Sequence, residues 1–166
     1  ALSVDARHTS EAMDMPEALK DFIGFLEWRF ENPGIHGVKT GLTAMDERLQ
    51  GLKPGEMYIL AARPAMGKTT LALNIALNAA KNHSKIYISS LEMPRRQLIQ
   101  RLVAAQGHIR LAALKDASQL NQDEWGRITI SIDALRKTNM RIDDQGGLDV
   151  NELRSRCRRM KRRTGL

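Results

Sequence analysis

The sequence has a single cysteine, Cys157, which excludes an internal disulfide framework and a zinc site built from cysteine ligands. It also lacks any run of about 18 uncharged apolar residues, so no transmembrane helix is predicted. Its N-terminus has no apolar stretch behind a basic flank, so we predict no secretory signal. The length of 166 residues predicts one domain with a short appendage, and the single cysteine favours the reducing cytoplasm.

Aromatic residues are scarce, at 4% of the chain, and four of them lie close together: Phe22, Phe25, Trp28 and Phe30. The apolar spacing around them predicts a helix from Pro16 to about Phe30, capped by Asp14 and ended by residues 32–34. This helix has more apolar surface than one core face requires. It packs either on its own domain or on another subunit.

The net charge of +7 is unevenly distributed. Residues 149–166 hold seven basic side chains against Asp149 and Glu152, so most of the excess lies in one predicted helix. Its basic side can be solvated, can contact a phosphate backbone or can contact an acidic partner. We therefore assign no functional role to these arginines.

The chain alternates between strand-like and helix-like segments from residue 57 onward. Strands are predicted at 57–62, 85–90 and 140–143, and helices at 44–49, 69–82, 94–106, 121–137 and 149–163. This alternation predicts an α/β fold with a parallel sheet flanked by helices. Three strands are fewer than a typical sheet has, so we expect an incomplete domain over 35–166, preceded by an arm and helix over 1–34.

A phosphate-binding loop is predicted at residues 62–69, Ala-Arg-Pro-Ala-Met-Gly-Lys-Thr, with alanine at the usual first glycine. Gly67 allows the backbone to curl closely around oxygens, and the N–H groups from Ala65 to Thr69 open onto one concavity at a helix N-terminus. Lys68 would reach the β- and γ-phosphates of ATP, and the Thr69 hydroxyl would bind Mg²⁺.

The predicted nucleotide-binding residues extend over the whole loop. They are Arg63, Pro64, Ala65, Met66, Gly67, Lys68, Thr69 and Thr70. Pro64 donates no hydrogen bond, but its fixed φ stiffens the loop before nucleotide arrives.

A second acidic site is predicted at Glu92, just after the strand at 85–90. Nucleotides bind outside the carboxyl ends of parallel strands, where such a carboxylate can orient or deprotonate the attacking water. The alternative is an exposed loop carboxylate. Asp143 and Asp144 also end a predicted strand. They can supply the carboxylate that binds magnesium, or they can stabilise a turn; we favour the turn role.

Seven stretches resemble the DnaB-type hexameric replicative helicases, in order and with similar spacing: 40–41, 51–55, 61–70, 90–94, 123–125, 142–148 and 152–159. Any phosphate-loop protein shares the third stretch. Ser-Leu-Glu-Met-Pro at 90–94 is much more specific to this family.

The resemblance implies a RecA-like motor domain that hydrolyses ATP with Mg²⁺ and unwinds DNA in the 5′ to 3′ direction at the replication fork, in the cytoplasm. It implies that Lys68 and Glu92 are catalytic and that the helix at 16–31 docks on neighbouring subunits of a homohexamer. The further partners it implies are single-stranded DNA, bound by parts outside this chain, primase and a helicase loader. The family's Walker B aspartate and arginine finger are not in the sequence, so this chain alone is not expected to turn over ATP.

Two other functions remain open from the residues. The chain can belong to another RecA-like ATPase, because the Thr-Gly and Gly-Leu-x-Pro-Gly stretches before the loop occur in that wider group. It can also be a non-catalytic ATP-binding loader or inhibitor that docks on a helicase ring through the helix at 16–31.

Overall fold

A computed structural model describes residues 13–165 of the chain. The polar arm predicted at residues 1–13 lies outside this range, apart from Met13. The chain divides into two compact units, the first ending at Gly34 and the second beginning at Ile35. Within residues 13–165, none of the helices combines the length and hydrophobicity needed to span a bilayer.

The elements follow one another as α1 (Met15–Glu31), α2 (Thr43–Leu49), α3 (Lys68–Lys81), β1 (Ile86–Ser89), α4 (Arg95–Gly107), α5 (Leu111–Lys115), α6 (Gln122–Arg136), β2 (Met140–Asp143) and α7 (Val150–Thr164). A 3-10 turn, Ala117–Gln119, lies between α5 and α6. The predicted helices are confirmed to within one or two residues at their ends. Local capping explains this agreement for α6, where Asn121 and Glu124 form a reciprocal capping box.

Helix α1 forms the first unit. The Asp14 carboxylate accepts a hydrogen bond from the Glu17 N–H at 3.0 Å, and a proline occupies the first turn, as predicted. No residue of α1 is buried, and Phe25 is 49% and Phe30 89% exposed. The helix is therefore well determined by local signals while its apolar side chains are largely uncovered.

The second unit contains a parallel pair of strands. In β1 and β2, Ile86 pairs with Met140 and Ser89 with Asp143, so the carboxyl ends of the strands are level. Helices α4, α5 and α6 form the crossover between them. The predicted parallel sheet flanked by helices is confirmed.

The strand predicted at 57–62 is wrong for the part of the chain that the structure describes. Residues 57–62 take no part in a β-ladder, and Met57 and Ile59 are 82% and 80% exposed. A strand exists only through hydrogen bonds to a neighbour, whereas the alternating apolar pattern records a preference of the segment itself. The two strands of the described sheet, β1 and β2, pair with each other.

The core lies between the helices and the sheet. Leucines of α3 and α4 form its main cluster: Leu73, Leu77, Leu98 and Leu102. Strand residues Ile88 and Ile142 pack against that cluster. A second cluster joins α4, α5 and α6 through Val103, Ala113 and Ile128. These contacts fix α3 and α4, and with them the segments that immediately precede both helices.

Candidate nucleotide-binding site

The loop at residues 63–67 leads directly into α3. The Met66 N–H donates to the Arg63 carbonyl at 3.3 Å, which closes a turn. Ala65 (φ 63°) and Gly67 (φ 85°) both adopt the left-handed backbone conformation. Alternation of this kind turns successive N–H groups towards one side and forms an anion-binding concavity. A Cβ built on Gly67 would meet no atom within 4 Å, so the space beside the loop is open.

The N-terminus of α3 has the electrostatics that an anion requires. Gly67 provides no side-chain cap, and the first turn contains no acidic residue. The first helical bond runs from Leu71 N to the Gly67 carbonyl, so the N–H groups of residues 68–70 have no helical partner. The helix dipole and these free donors both favour phosphate at this position.

Lys68 is the first residue of α3 and is exposed. Among residues 13–165 its ammonium group forms no ion pair. A cation that lies beside N–H donors without a helical partner, and that forms no ion pair in the part of the chain described, suits a polyphosphate. The residues of the loop therefore fit the nucleotide that the sequence predicts.

The chain offers few ligands to a metal ion near this loop. No group of three or more histidine, cysteine, aspartate or glutamate side chains suited to a metal occurs within the described range. Thr69 is half-buried at the start of α3. Mg²⁺ ordinarily binds through one or two protein ligands together with substrate phosphates and water. The Thr69 hydroxyl fits that mode and does not suffice for a protein-only site.

Thr70 differs from its neighbours in having a protein partner. Its hydroxyl oxygen accepts a hydrogen bond from Arg101 Nη1 at 3.3 Å, which links the start of α3 to α4. The side chain thus links the two helices. Because the hydroxyl only accepts in this bond, its O–H and the main-chain N–H of Thr70 are both donors that a nucleotide can use.

Glu92 lies on a bend of residues 91–93 between β1 and α4. Ser90 Oγ closes this bend: it donates to the Met93 carbonyl at 2.8 Å and accepts from the Met93 N–H at 3.1 Å. Glu92 is exposed, and its carboxylate has no hydrogen bond or ion pair within residues 13–165. It stands where prediction put it, beyond the carboxyl end of a parallel strand.

The loop and Glu92 are connected through packing and share no direct bond within the described residues. The loop is continuous with α3, Glu92 precedes α4, and the two helices meet through the leucine cluster and the Arg101–Thr70 bond. The residues of 63–70 are brought together by one turn, whereas Glu92 is linked to the loop only indirectly, through the packing of α4 on α3.

Asp143, the last residue of β2, and Asp144, which follows it, both bind side chains of other chain segments. Asp143 accepts bonds from Arg156 Nη1 at 2.7 Å and from the Tyr87 hydroxyl at 2.8 Å. The Arg156 guanidinium and the Tyr87 hydroxyl lower the pKa of Asp143 to about 2. Burial and the bond to Asp143 raise the pKa of Tyr87 to about 12. Asp144 binds Arg95 at 2.8 Å. These contacts agree with the turn role favoured above.

A buried polar cluster ahead of the loop was not anticipated. Thr40 is fully buried, and its N–H and hydroxyl both donate to Asp46 Oδ1 at 2.7 Å, while Gly41 N–H donates to Asp46 Oδ2 at 3.1 Å. Burial opposes ionisation of Asp46, but these bonds lower its pKa. Asn78 of α3 donates to the Thr40 carbonyl at 3.1 Å. The only sequence signal was the Thr-Gly stretch itself.

Comparison with known proteins supplies a family. A family profile described as DnaB-like helicase C terminal domain matches residues 37–166. The chain is 36% identical over 162 residues to the replicative DNA helicase DnaC of Bacillus subtilis, covering 96% of this chain and 36% of that protein. It is 42% identical over 135 residues to the replicative DNA helicase DnaB of Pasteurella multocida, covering 80% and 29%. The chain spans about a third of the length of these curated relatives.

Two solved structures have a similar fold. One, described as an ATPase domain, has a TM-score of 0.83 and 32% identity, over 93% of this chain and 54% of that one. A DnaB-like replicative helicase, described with its interactions with primase, has a TM-score of 0.83 and 32% identity, over 91% and 37%. The RecA-like fold predicted from the sequence is confirmed. The similar proteins are described as replicative DNA helicases and, in one case, as an ATPase domain.

Proposed function

The chain belongs to the family of DnaB-like helicase C-terminal domains, and from this premise we propose that it is part of an ATP-driven replicative DNA helicase that moves 5′ to 3′. The observation that carries the proposal is the loop at 63–70, with its two left-handed residues, its helix start without a side-chain cap, and Lys68, which forms no ion pair with any described residue. Glu92 lies on the segment between β1 and α4 and also has no protein partner in the described part of the chain.

Each group has a distinct task in this proposal. The N–H groups from Ala65 to Thr69 and the Lys68 ammonium bind the phosphates of ATP, and Thr69 contributes a hydroxyl ligand to Mg²⁺. The bound Mg²⁺ would neutralise negative charge on the phosphates. Glu92 orients the attacking water and accepts its proton through a carboxylate oxygen. An exposed carboxylate without a cationic partner is free to act in this way.

We assign the two parts of the chain different roles. Residues 35–166 form the N-terminal part of the ATPase domain, and residues 1–34 an arm with the docking helix α1. The exposed phenylalanines of α1 suit burial on a neighbouring subunit of a homohexamer. Single-stranded DNA would bind to parts outside this chain.

Further partners follow from the same premise. One similar helicase is described with its interactions with primase, and we propose primase and a helicase loader as partners of the complete protein. Its place of action is then the replication fork in the cytoplasm.

The decisive experiment replaces Glu92 by glutamine in the complete protein encoded by the reading frame. We expect ATP binding to persist while hydrolysis falls by roughly two to four orders of magnitude, because glutamine cannot accept the proton. Fluorescent-nucleotide titration and phosphate release measure the two quantities. Glu47→Gln, at an exposed glutamate of α2, is the matched control. Hydrolysis within threefold of wild type in Glu92→Gln would remove Glu92 from the mechanism.

A further inference from the structure

Helix α4 begins without a cap of its own. Pro94 stands at the cap position and makes no side-chain hydrogen bond, and the first turn contains Arg95 and Arg96 but no acidic residue. Helix N-termini are stabilised by side-chain acceptors and by negative charge. The local sequence of α4 supplies neither.

Asp144, from the segment after β2, provides what α4 lacks. Its Oδ2 accepts a hydrogen bond from the Arg95 N–H at 2.8 Å, and its Oδ1 pairs with Arg95 Nη2 at 2.8 Å. The hydrogen bond from the Arg95 N–H and, to a smaller extent, the Arg95 guanidinium lower the pKa of Asp144, so its carboxylate is ionised. One side chain therefore holds both the main chain and the side chain of Arg95.

The bend that carries Glu92 is thus fixed at both ends, by the last residue of β2 and by the residue that follows it. At its start, Ser90 N–H donates to the Asp143 carbonyl at 2.8 Å. At its end, Arg95 is bound to Asp144. Glu92 makes no bond of its own within residues 13–165, so its position depends on how firmly these two points hold the main chain.

We propose that Asp144 is a positioning residue for Glu92, acting through the N-terminus of α4. This inference rests on the proposed catalytic role of Glu92. Without the bond to Arg95, the bend and the Glu92 carboxylate are free to shift, and a displacement of about 1 Å can lower a catalytic rate about a hundredfold. The phosphate loop precedes a different helix, so nucleotide binding does not depend on Asp144.

The test uses Asp144→Ala and Asp144→Asn in the complete protein, with Asp116→Ala as the matched control. Asp116 also accepts hydrogen bonds at the start of a helical turn, from the Ser118 N–H and from Gln119 Nε2. It lies outside the Glu92 bend and outside both strands. Asp144→Ala should lower kcat for ATP hydrolysis by about tenfold to a hundredfold at unchanged KM. Asp144→Asn keeps a neutral acceptor and should lose about three- to tenfold. The control should match wild type.

A double variant separates positioning from a general structural role. If Asp144 acts through Glu92, adding Asp144→Ala to Glu92→Gln should lower the residual single-turnover rate less than about twofold. If the loss of rate in the double variant equals the product of the losses in the two single variants, the inference is overturned. A rise in KM of Asp144→Ala as large as its fall in kcat would also overturn it. If Asp144→Ala fails to fold, Asp144→Asn decides: unchanged kcat overturns the inference.

The two proposals fail in different ways. Wild-type hydrolysis by Glu92→Gln would overturn the role of Glu92 and, with it, the role of Asp144. Loss of hydrolysis in Glu92→Gln together with wild-type kcat in Asp144→Ala would overturn only the inference about Asp144.

Discussion

The predicted phosphate loop at 63–70 and the segment at 37–52 are separated by residues 53–62, which belong to no helix or strand, and the two regions differ in whether their polar groups have partners. In the earlier segment, fully buried Thr40 gives its N–H and hydroxyl to Asp46. In the loop, the Lys68 ammonium forms no ion pair within the described residues, and the N–H groups at the start of α3 have no helical partner. Buried polar groups without partners destabilise a fold, whereas exposed ones remain available to a ligand.

This contrast distinguishes residues that stabilise the fold from residues that are available to bind a nucleotide. Asn78, in the C-terminal half of α3, bonds to the Thr40 carbonyl and fastens the earlier segment to the helix. Lys68, at the other end of the same helix, contributes no side-chain ion pair to the described fold. Substitutions in the first region should lower stability with little direct effect on chemistry, and substitutions in the second should do the reverse.

The largest effect is expected at Lys68. Lys68→Ala in the complete protein should abolish Mg-ATP binding, because the positive charge beside the phosphates is lost, while the thermal unfolding midpoint stays unchanged. Lys81→Ala, at the exposed far end of α3, should bind normally. Unchanged affinity of Lys68→Ala in a fluorescent-nucleotide titration would contradict the assignment of the loop.

A second large effect is expected in α1, which also leaves apolar groups uncovered. Phe25→Ser together with Trp28→Ser should dissociate the proposed hexamer while leaving a folded, nucleotide-binding monomer. Burial of large aromatic side chains on a neighbour contributes several kcal/mol at about 25 cal/mol per Å². ATPase and unwinding should fall with assembly.

Sedimentation at equal concentration measures that dissociation, and circular dichroism checks the fold. Lys20→Ser with Glu27→Ser, two exposed charged residues on the same helix, should leave the hexamer intact. An intact hexamer in the aromatic variant would mean that α1 does not hold subunits together.

A smaller effect is expected at Asp46, in the closed region. Asp46→Ala leaves the buried hydroxyl and N–H of Thr40 without an acceptor and should lower stability by about 3 kcal/mol. Thermal unfolding followed by circular dichroism measures the change. Asp133→Ala removes only an exposed ion pair with Lys137 and should leave the midpoint unchanged. Equal thermal unfolding midpoints for Asp46→Ala and Asp133→Ala would show that the buried bonds of Asp46 do not stabilise the fold more than an exposed ion pair does.

The smallest effect is expected at Ala65, the one non-glycine residue of the loop with positive φ. Ala65→Gly should raise stability by about 0.5 kcal/mol, because relief of the left-handed strain exceeds the entropy that glycine loses. Ala62→Gly, at an ordinary φ, should lower it slightly. A lower melting temperature for Ala65→Gly would show that the loop does not strain this residue.

Features encoded by neighbouring residues were predictable from the sequence. Asp14 and the proline after it marked the start of α1, and Asn121 with Glu124 marked the start of α6. The turn at 63–67 and the start of α3 after it were also predictable, because the signals for both lie within eight residues; phosphate binding by this loop stays a prediction. Such signals act over three or four positions, which is the range that a sequence pattern records.

Features that depend on distant partners were not predictable. The alternation at 57–62 indicated a strand, yet a strand needs a neighbour that no local pattern specifies. The contact of Asn78 with Thr40 spans 38 positions, and that of Tyr87 with Asp143 spans 56. Glu92 could be placed after a strand, but the bonds that hold its bend could not.

The contact between Asp144 and Arg95 also has a consequence for the order of folding. The two residues are 49 positions apart, and a nascent chain emerges from its N-terminus. Helix α4 therefore leaves the ribosome with an uncapped, positively charged first turn, and it is completed only after β2 has been synthesised and has paired with β1. Parallel pairing over such a separation is a slow, non-local step. We therefore expect the capping of α4 to accompany formation of the sheet, and the Glu92 bend to become ordered late in folding.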